Sequence, residues 1–172
     1  LGQTIEDCCG FFQPDKERAV VRLADLIDQT LLLLEGSLRS QGVRVHLELE
    51  SLPPLSLFAN ELQQVLVNLL KNAQDVLQER DIQEPAIHVR LRSTAQGQQL
   101  CVYDNGGGIP EDVIQRIFEP YFTTKSKLNG TGLGLYMSKM IIEEHLAGRL
   151  LVQNQDEGAC FTIELPAPSA SS

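Results

Sequence analysis

Three polar clusters interrupt otherwise apolar segments of the chain, and each carries residue types able to handle a charged ligand. In the first, Gln64, Asn68 and Asn72 recur at four-residue steps, so on a helix all three project from one side. Asparagine is a mediocre helix former, and two copies on one stripe ask for a reason. Its amide oxygen is a hard, neutral ligand suited to Mg²⁺, which keeps several waters and also binds substrate phosphates. Taken alone, the stripe reads first as solvated positions on an amphipathic helix.

The second cluster, Asp104-Asn105-Gly106-Gly107-Gly108-Ile109-Pro110, follows a strand-like run. A carboxylate at a strand end can accept a hydrogen bond from an exocyclic amine, and glycines let backbone approach a ligand closely. The same residues make plain turns, but three successive glycines exceed what a turn needs. The third, Asn129-Gly130-Thr131-Gly132-Leu133-Gly134-Leu135, opens a helix. Backbone N–H groups at a helix start bind anions, and alternating glycines clear space for phosphate oxygens. Its spacing is neither that of a P-loop nor that of a dinucleotide fingerprint.

The elements that must position these clusters follow from hydrophobic periodicity. Leu23, Leu26, Ile27, Thr30, Leu31, Leu34 and Leu38 predict an amphipathic helix ended by Gln41-Gly42. Val43, Val45, Leu47 and Leu49 alternate with polar residues and predict a strand, with a short second one over Leu55–Phe58. The strongest helix runs from Asn60 to Gln78, and Ile87–Leu91 with Leu100–Val102 predict a hairpin turning at Gln96-Gly97 and ending at Asp104. A short helix is expected from about Glu111 to Ile117, and a lid-like loop over Glu119–Thr131. Leu133–Leu146 reads as a helix, and Arg149–Gln155 with Cys160–Leu165 as a last hairpin. The fold class is α+β: a two-layer sandwich with a mixed, largely antiparallel sheet covered by helices.

Composition narrows the function. The chain has 172 residues, with 14 Lys+Arg against 23 Asp+Glu and a net charge of −9, which argues against a phosphate-backbone binder and so against nucleic acid as a partner. At 42% hydrophobic residues it reads as a globular chain with room for a real core. Neither a bilayer-length apolar run nor a signal sequence is visible. Cys8, Cys9, Cys101 and Cys160 lack metal-ligand spacing and read as reduced thiols of a cytoplasmic protein.

Taken together, the clusters resemble the ATP-binding catalytic domain of sensor histidine kinases, in the superfamily that includes gyrase, heat-shock-90 and MutL ATPases. Glu61–Ala73 looks like the family's N box, Asp104–Ile109 its G1 box, Ile117–Lys125 its F box and Gly130–Leu135 its G2 box. Four motifs in order form a specific pattern where each alone does not. The resemblance implies ATP and Mg²⁺ as cofactors. It places Asn72 on the metal with Asn68 beside it, and Asp104 on the adenine amine. Gly106, Gly108 and Ile109 would line the base pocket, and Phe118 and Phe122 would anchor the lid. Lys125 would reach the phosphates, and Gly130, Thr131, Gly132, Leu133 and Gly134 would surround the polyphosphate. Asp75 stands where many members carry a cation, and Val76 where an aromatic often stacks near adenine.

One position separates kinases from ATPases in the superfamily: a glutamate one turn before the metal-binding asparagine activates water in the ATPases. Here it is Asn68, which cannot act as a base, and this favours phosphotransfer. The expected acceptor is a histidine on a separate dimerising hairpin, with relay to the receiver domain of a response regulator. None of His46, His88 and His145 stands in an acceptor motif. Residues 1–14 resemble the end of the hairpin's second helix and its linker, 15–166 the catalytic domain, and 167–172 a polar tail. The fragment is then expected to be monomeric, and its parent kinase a homodimer free to be membrane-anchored. The alternative reading is a nucleotide-sensing module that binds ATP or ADP and transfers nothing.

Overall fold

The structure, a computed structural model, describes residues 17–122 and 133–168. The hairpin-helix tail expected before residue 15, together with Cys8, Cys9, Lys125, Gly130, Thr131 and Gly132, lies outside the described residues.

Helix α1 (Leu23–Ser40) buries Leu23, Leu26, Ile27, Thr30, Leu34 and Leu38, the stripe that three- and four-residue spacing puts on one face. Gly42, at φ +70°, turns the chain into β2 (Arg44–Leu49). Strand β3 (Leu55–Leu57) leads into α2 (Ala59–Glu79), which crosses over so that β4 (Ala86–Thr94) runs parallel to β2. A parallel pair needs a crossover of this kind, whereas antiparallel neighbours join by tight turns. The β4 strand turns directly into β5 (Gly97–Asp104). The short helix α3 (Glu111–Ile114) and α4 (Gly134–Met140) follow, and β6 (Arg149–Gln155) and β7 (Gly158–Pro166) close the chain as a hairpin.

The main sheet has the order β2-β4-β5-β7-β6, with only β2–β4 parallel. Its inner face carries Ile87, Val89, Leu91, Leu100, Val102, Phe161 and Ile163, packed on Leu62, Leu66, Leu69 and Leu70 of α2 and on α1. This is the expected two-layer arrangement.

Three elements differ from the sequence reading. The first is β1 (Ala19–Val21), which pairs antiparallel with β3 as a separate small sheet. Three residues are too few to show alternation, and the partner is remote in sequence. Helix α3 stops at Ile114, short of the expected Ile117, and continues as turns. The expected helix over Leu133–Leu146 is α4 followed by a π turn over Ile141–His145, in which Leu146 N–H bonds the Ile141 carbonyl at 3.0 Å. The wider turn buries Ile141 and Ile142 side by side and swings His145 toward α2.

Candidate nucleotide site

The described part of the site has two ends joined by α2. At one end, β5 delivers Asp104 to the edge of the core, where it is 3% exposed. The carboxylate accepts the Gly106 N–H at 2.9 Å. Burial raises its pKa above the ordinary carboxylate value, opposed by hydrogen bonds from the Gly106 and Ala159 N–H groups and by the charge of Arg80. Gly106 has to be glycine: a Cβ there would stand 2.7 Å from Val76 Cγ1 and 3.0 Å from the Asp104 carboxylate.

The glycine loop is held from four further directions. Arg80, just past the end of α2, donates from one nitrogen to the Gly106 carbonyl at 2.6 Å and the Gly108 carbonyl at 2.7 Å. Asn154 of β6 makes a reciprocal pair with Ile109, accepting its N–H and donating to its carbonyl, each at 2.7 Å. The Gly107 N–H donates to the Glu157 carbonyl at 2.6 Å in the β6–β7 turn. Asn105 ties the loop's start to the head of β4, accepting from Ala86 N–H at 2.9 Å and donating to the Glu84 carbonyl at 3.1 Å.

At the other end, Asn68 of α2 donates to Ser138 Oγ of α4 at 2.9 Å. Gly134 opens α4 directly against it, and a Cβ there would stand 2.5 Å from Asn68 Oδ1. Leu133 immediately precedes the helix and is half-buried. A cavity of about 390 Å³ adjoins this contact, lined by Gln64, Asn68, Lys71, Gly134 and Ser138 among others.

Asn68, Asn72 and Val76 form one i, i+4 line along α2. Asn68 faces the start of α4, and Val76 touches the position of Gly106. At 1.5 Å rise per residue the line spans about 12 Å, so α2 acts as a rail between the two ends. Asn72, half-buried, sits midway. Its neutral amide oxygen and that of Asn68 are donors that fit a hydrated Mg²⁺ carried in on phosphates. Groups of three or more His, Cys, Asp or Glu placed to hold a metal by themselves are absent among the described residues.

The phenylalanines of the expected lid anchor are packed as well. Phe118 meets Phe161 edge to face at 6.3 Å and lies under Lys139 Nζ at 4.8 Å, while Arg116 covers Phe122 at 4.6 Å. Sequence reasoning missed Arg80 and Asn154: neither lies in a motif, and their partners are backbone carbonyls and amides. It also missed the partner of Glu61, whose carboxylate is 1% exposed and 2.7 Å from His145 Nδ1. That contact turns Glu61 toward the π turn.

The family model for histidine kinase-, DNA gyrase B- and HSP90-like ATPases matches residues 59–169, and the chain belongs to that family. Within it, the chain is an ATP-binding domain of the sensor histidine kinase type. The two-component sensor PprA of Pseudomonas aeruginosa is 40% identical over 147 residues, covering 77% of this chain and 15% of PprA. The sensor histidine kinase ZraS of Escherichia coli is 34% identical over 148 residues, covering 85% of this chain and 30% of ZraS. The nucleotide-free catalytic domain of the histidine kinase ThkA has the same fold, with TM-score 0.77 at 29% identity over 87% of this chain and 95% of that one. The chain therefore corresponds to less than a third of either full-length sensor. No helix among the described residues is long and apolar enough to cross a membrane.

Proposed function

We propose that this domain binds Mg²⁺-ATP along the α2 rail and presents the γ-phosphoryl group to a histidine on a separate hairpin domain, for relay to a response regulator's receiver domain. The observation that carries the reading is the single line from Asn68 through Asn72 to Val76, with Gly134 against one end and Gly106 and Asp104 against the other. Asp104 accepts from the adenine amine, and Gly106, Gly108 and Ile109 shape the base pocket. Leu133 and Gly134, with Gly130, Thr131 and Gly132, surround the polyphosphate, and Lys125 adds a cation. Asn72, with Asn68 beside it, would hold Mg²⁺, which when bound neutralises phosphate charge.

The chain's own contribution is positioning and electrostatics, since phosphoryl transfer needs little covalent chemistry from the protein. Two features favour transfer over hydrolysis. An amide occupies the position of a water-activating carboxylate, and its nitrogen donates to Ser138. The carboxylate of Glu61 is in contact with His145.

Calorimetric titration with ADP and a non-hydrolysable ATP analogue, each with and without Mg²⁺, tests the site. Expected is binding that strengthens with Mg²⁺ and loses that strengthening in Asn72→Ala; unchanged Mg²⁺-ATP affinity in the variant overturns the metal assignment. Label appearing on a supplied hairpin domain, with no steady phosphate release, supports the kinase reading. Nucleotide binding without transfer favours the sensing module.

A further inference from the structure

The outer face of the sheet, turned away from the helices, carries two thiols that the nucleotide chemistry does not use. Cys101 on β5 and Cys160 on β7 are diagonal neighbours: Cys101 registers with Thr162, and Tyr103 with Cys160. Strand alternation sends Leu100, Val102, Phe161 and Ile163 into the core and these two cysteines to the other side. Both sulfurs converge on one hydroxyl, with Thr162 Oγ1 at 3.6 Å from Cys101 and 3.8 Å from Cys160. Both are free thiols; Cys101 is half-buried and Cys160 only 4% exposed.

We propose that Cys101 and Cys160 form an oxidation site, in which a hydroperoxide oxidises Cys101 and Cys160 then closes a disulfide across β5 and β7. The arrangement divides the labour. Cys101 is the sulfur open to a small oxidant, and Arg90 stands beside it on β4 in register. Cys160 is shielded and adjacent, the place of a resolving thiol. The contact with Cys160, the Thr162 hydroxyl and the charges of Arg92 and Arg90 pull Cys101 down to about 6 against burial. Cys160 is pushed up, first by its contact with Cys101 and then by burial.

The chemistry balances. The Cys101 thiolate attacks one peroxide oxygen, the O–O bond breaks, and the leaving oxygen takes a proton to become an alcohol or water. The Cys101 sulfenic acid is then attacked by the Cys160 sulfur. The S–O bond breaks, and the departing hydroxide takes the Cys160 proton as water. Two thiols and one hydroperoxide give a disulfide, one alcohol or water, and one further water. Diagonal Cβ atoms start up to roughly 7 Å apart, and because β5 and β7 are already paired, closing the bond shifts them along one another and leaves it strained and readily reduced. Asp104 lies three residues further along β5 but faces inward, so the thiol site is separate from the nucleotide site.

The test uses the full chain with Cys8→Ser and Cys9→Ser, treated with hydrogen peroxide, alkylated and weighed intact and as peptides. Expected are loss of the mass of two hydrogens, protection of Cys101 and Cys160 together, a linked pair of peptides containing them, and reversal by dithiothreitol. Cys160→Ala is expected to stop at a sulfenic acid on Cys101, trapped by dimedone, and Cys101→Ser to leave Cys160 fully alkylatable. The proposal is overturned if both thiols stay alkylatable at peroxide levels that oxidise free cysteine. It is overturned equally if Cys101 oxidises in the Cys160-containing chain without forming the linked peptides, or if Cys160 oxidises in Cys101→Ser.

Discussion

The two ends of the nucleotide site are built in different ways. The base end is tied by side chains and backbone from α2, β4, β6 and the β6–β7 turn, through Arg80, Asn105, Asn154 and the Glu157 carbonyl. The Arg80, Asn154 and Glu157 bonds fix backbone groups of residues 106–109, and the Asn105 side chain ties the start of the loop to β4, so the loop is held before any ligand arrives. At the phosphate end the amide of Asn68 on α2 meets the hydroxyl of Ser138 on α4, with Gly134 packed over it. Preorganisation cuts the cost of ordering a loop on binding. In the proposed reading a loop held by cross-element bonds takes the base, and a helix start packed on α2 takes the phosphates.

The hardest blow to the base end is Asp104→Asn. Removing a buried charged acceptor from the adenine amine is expected to lower ADP affinity by about 2 kcal/mol, roughly 30-fold, by calorimetry. The melting temperature should move little, because relief of a buried charge offsets the loss of one acceptor for the Gly106 and Ala159 N–H groups. The pH dependence has a definite sign. Asp104 has a folded pKa above its unfolded value, so it favours the folded state while protonated. That contribution is lost as pH rises from the ordinary carboxylate range through the raised value. Denaturant titrations across that window should show a downward slope in stability for the native chain that is shallower in Asp104→Asn.

The phosphate end is probed by Gly134→Ala. Its new methyl must displace the Asn68 amide, and Mg²⁺-dependent binding of an ATP analogue should fall about tenfold, near 1.4 kcal/mol. Alanine's better helix propensity, about 1 kcal/mol, should keep the fold intact. In an Asn68→Ala background the same substitution should cost little, and a full additive loss there would break the assigned contact.

Arg80→Ala comes next. It frees the Gly106 and Gly108 carbonyls, and the exposed setting of the guanidinium limits the loss to about 1 kcal/mol, roughly fivefold in ADP affinity. Faster hydrogen exchange of the loop amides should accompany it, with the Mg²⁺ dependence unchanged. The smallest effect is expected for Asn154→Asp, which keeps the acceptor for Ile109 N–H but loses the donor to its carbonyl: about threefold, under 1 kcal/mol. If Asn154→Asp weakened binding more than Arg80→Ala, the loop would hang from β6 and not from the end of α2.

Local pattern carried most of the fold. The three-and-four spacing of Leu23–Leu38 and Leu62–Leu77, and the alternation of Ile87–Leu91, Val102 and Phe161–Leu165, placed α1, α2 and the hairpin strands to within about three residues. Strand β1 escaped because three residues show no period and its partner is remote. The π turn escaped because a shift from four- to five-residue bonding leaves apolar spacing almost unchanged over one turn. At the site, the glycine and asparagine motifs were legible because each meets a local backbone demand: close approach at Gly106 and Gly134, and one helix face for Asn68 and Asn72.

By itself, then, the sequence determined most of the segments that become helix or strand and which family the chain belongs to, and it offered the residues proposed for a base, a metal and phosphates. It could do so because propensity, periodicity and motif spacing are properties of neighbouring residues. Only the tertiary structure decided that Arg80 and Asn154 clamp the glycine loop, that Glu61 meets His145, and that Cys101 and Cys160 share a hydroxyl. Each of these contacts joins residues from different elements, and their side chains meet only once the sheet order and the packing of α2 against the sheet are set.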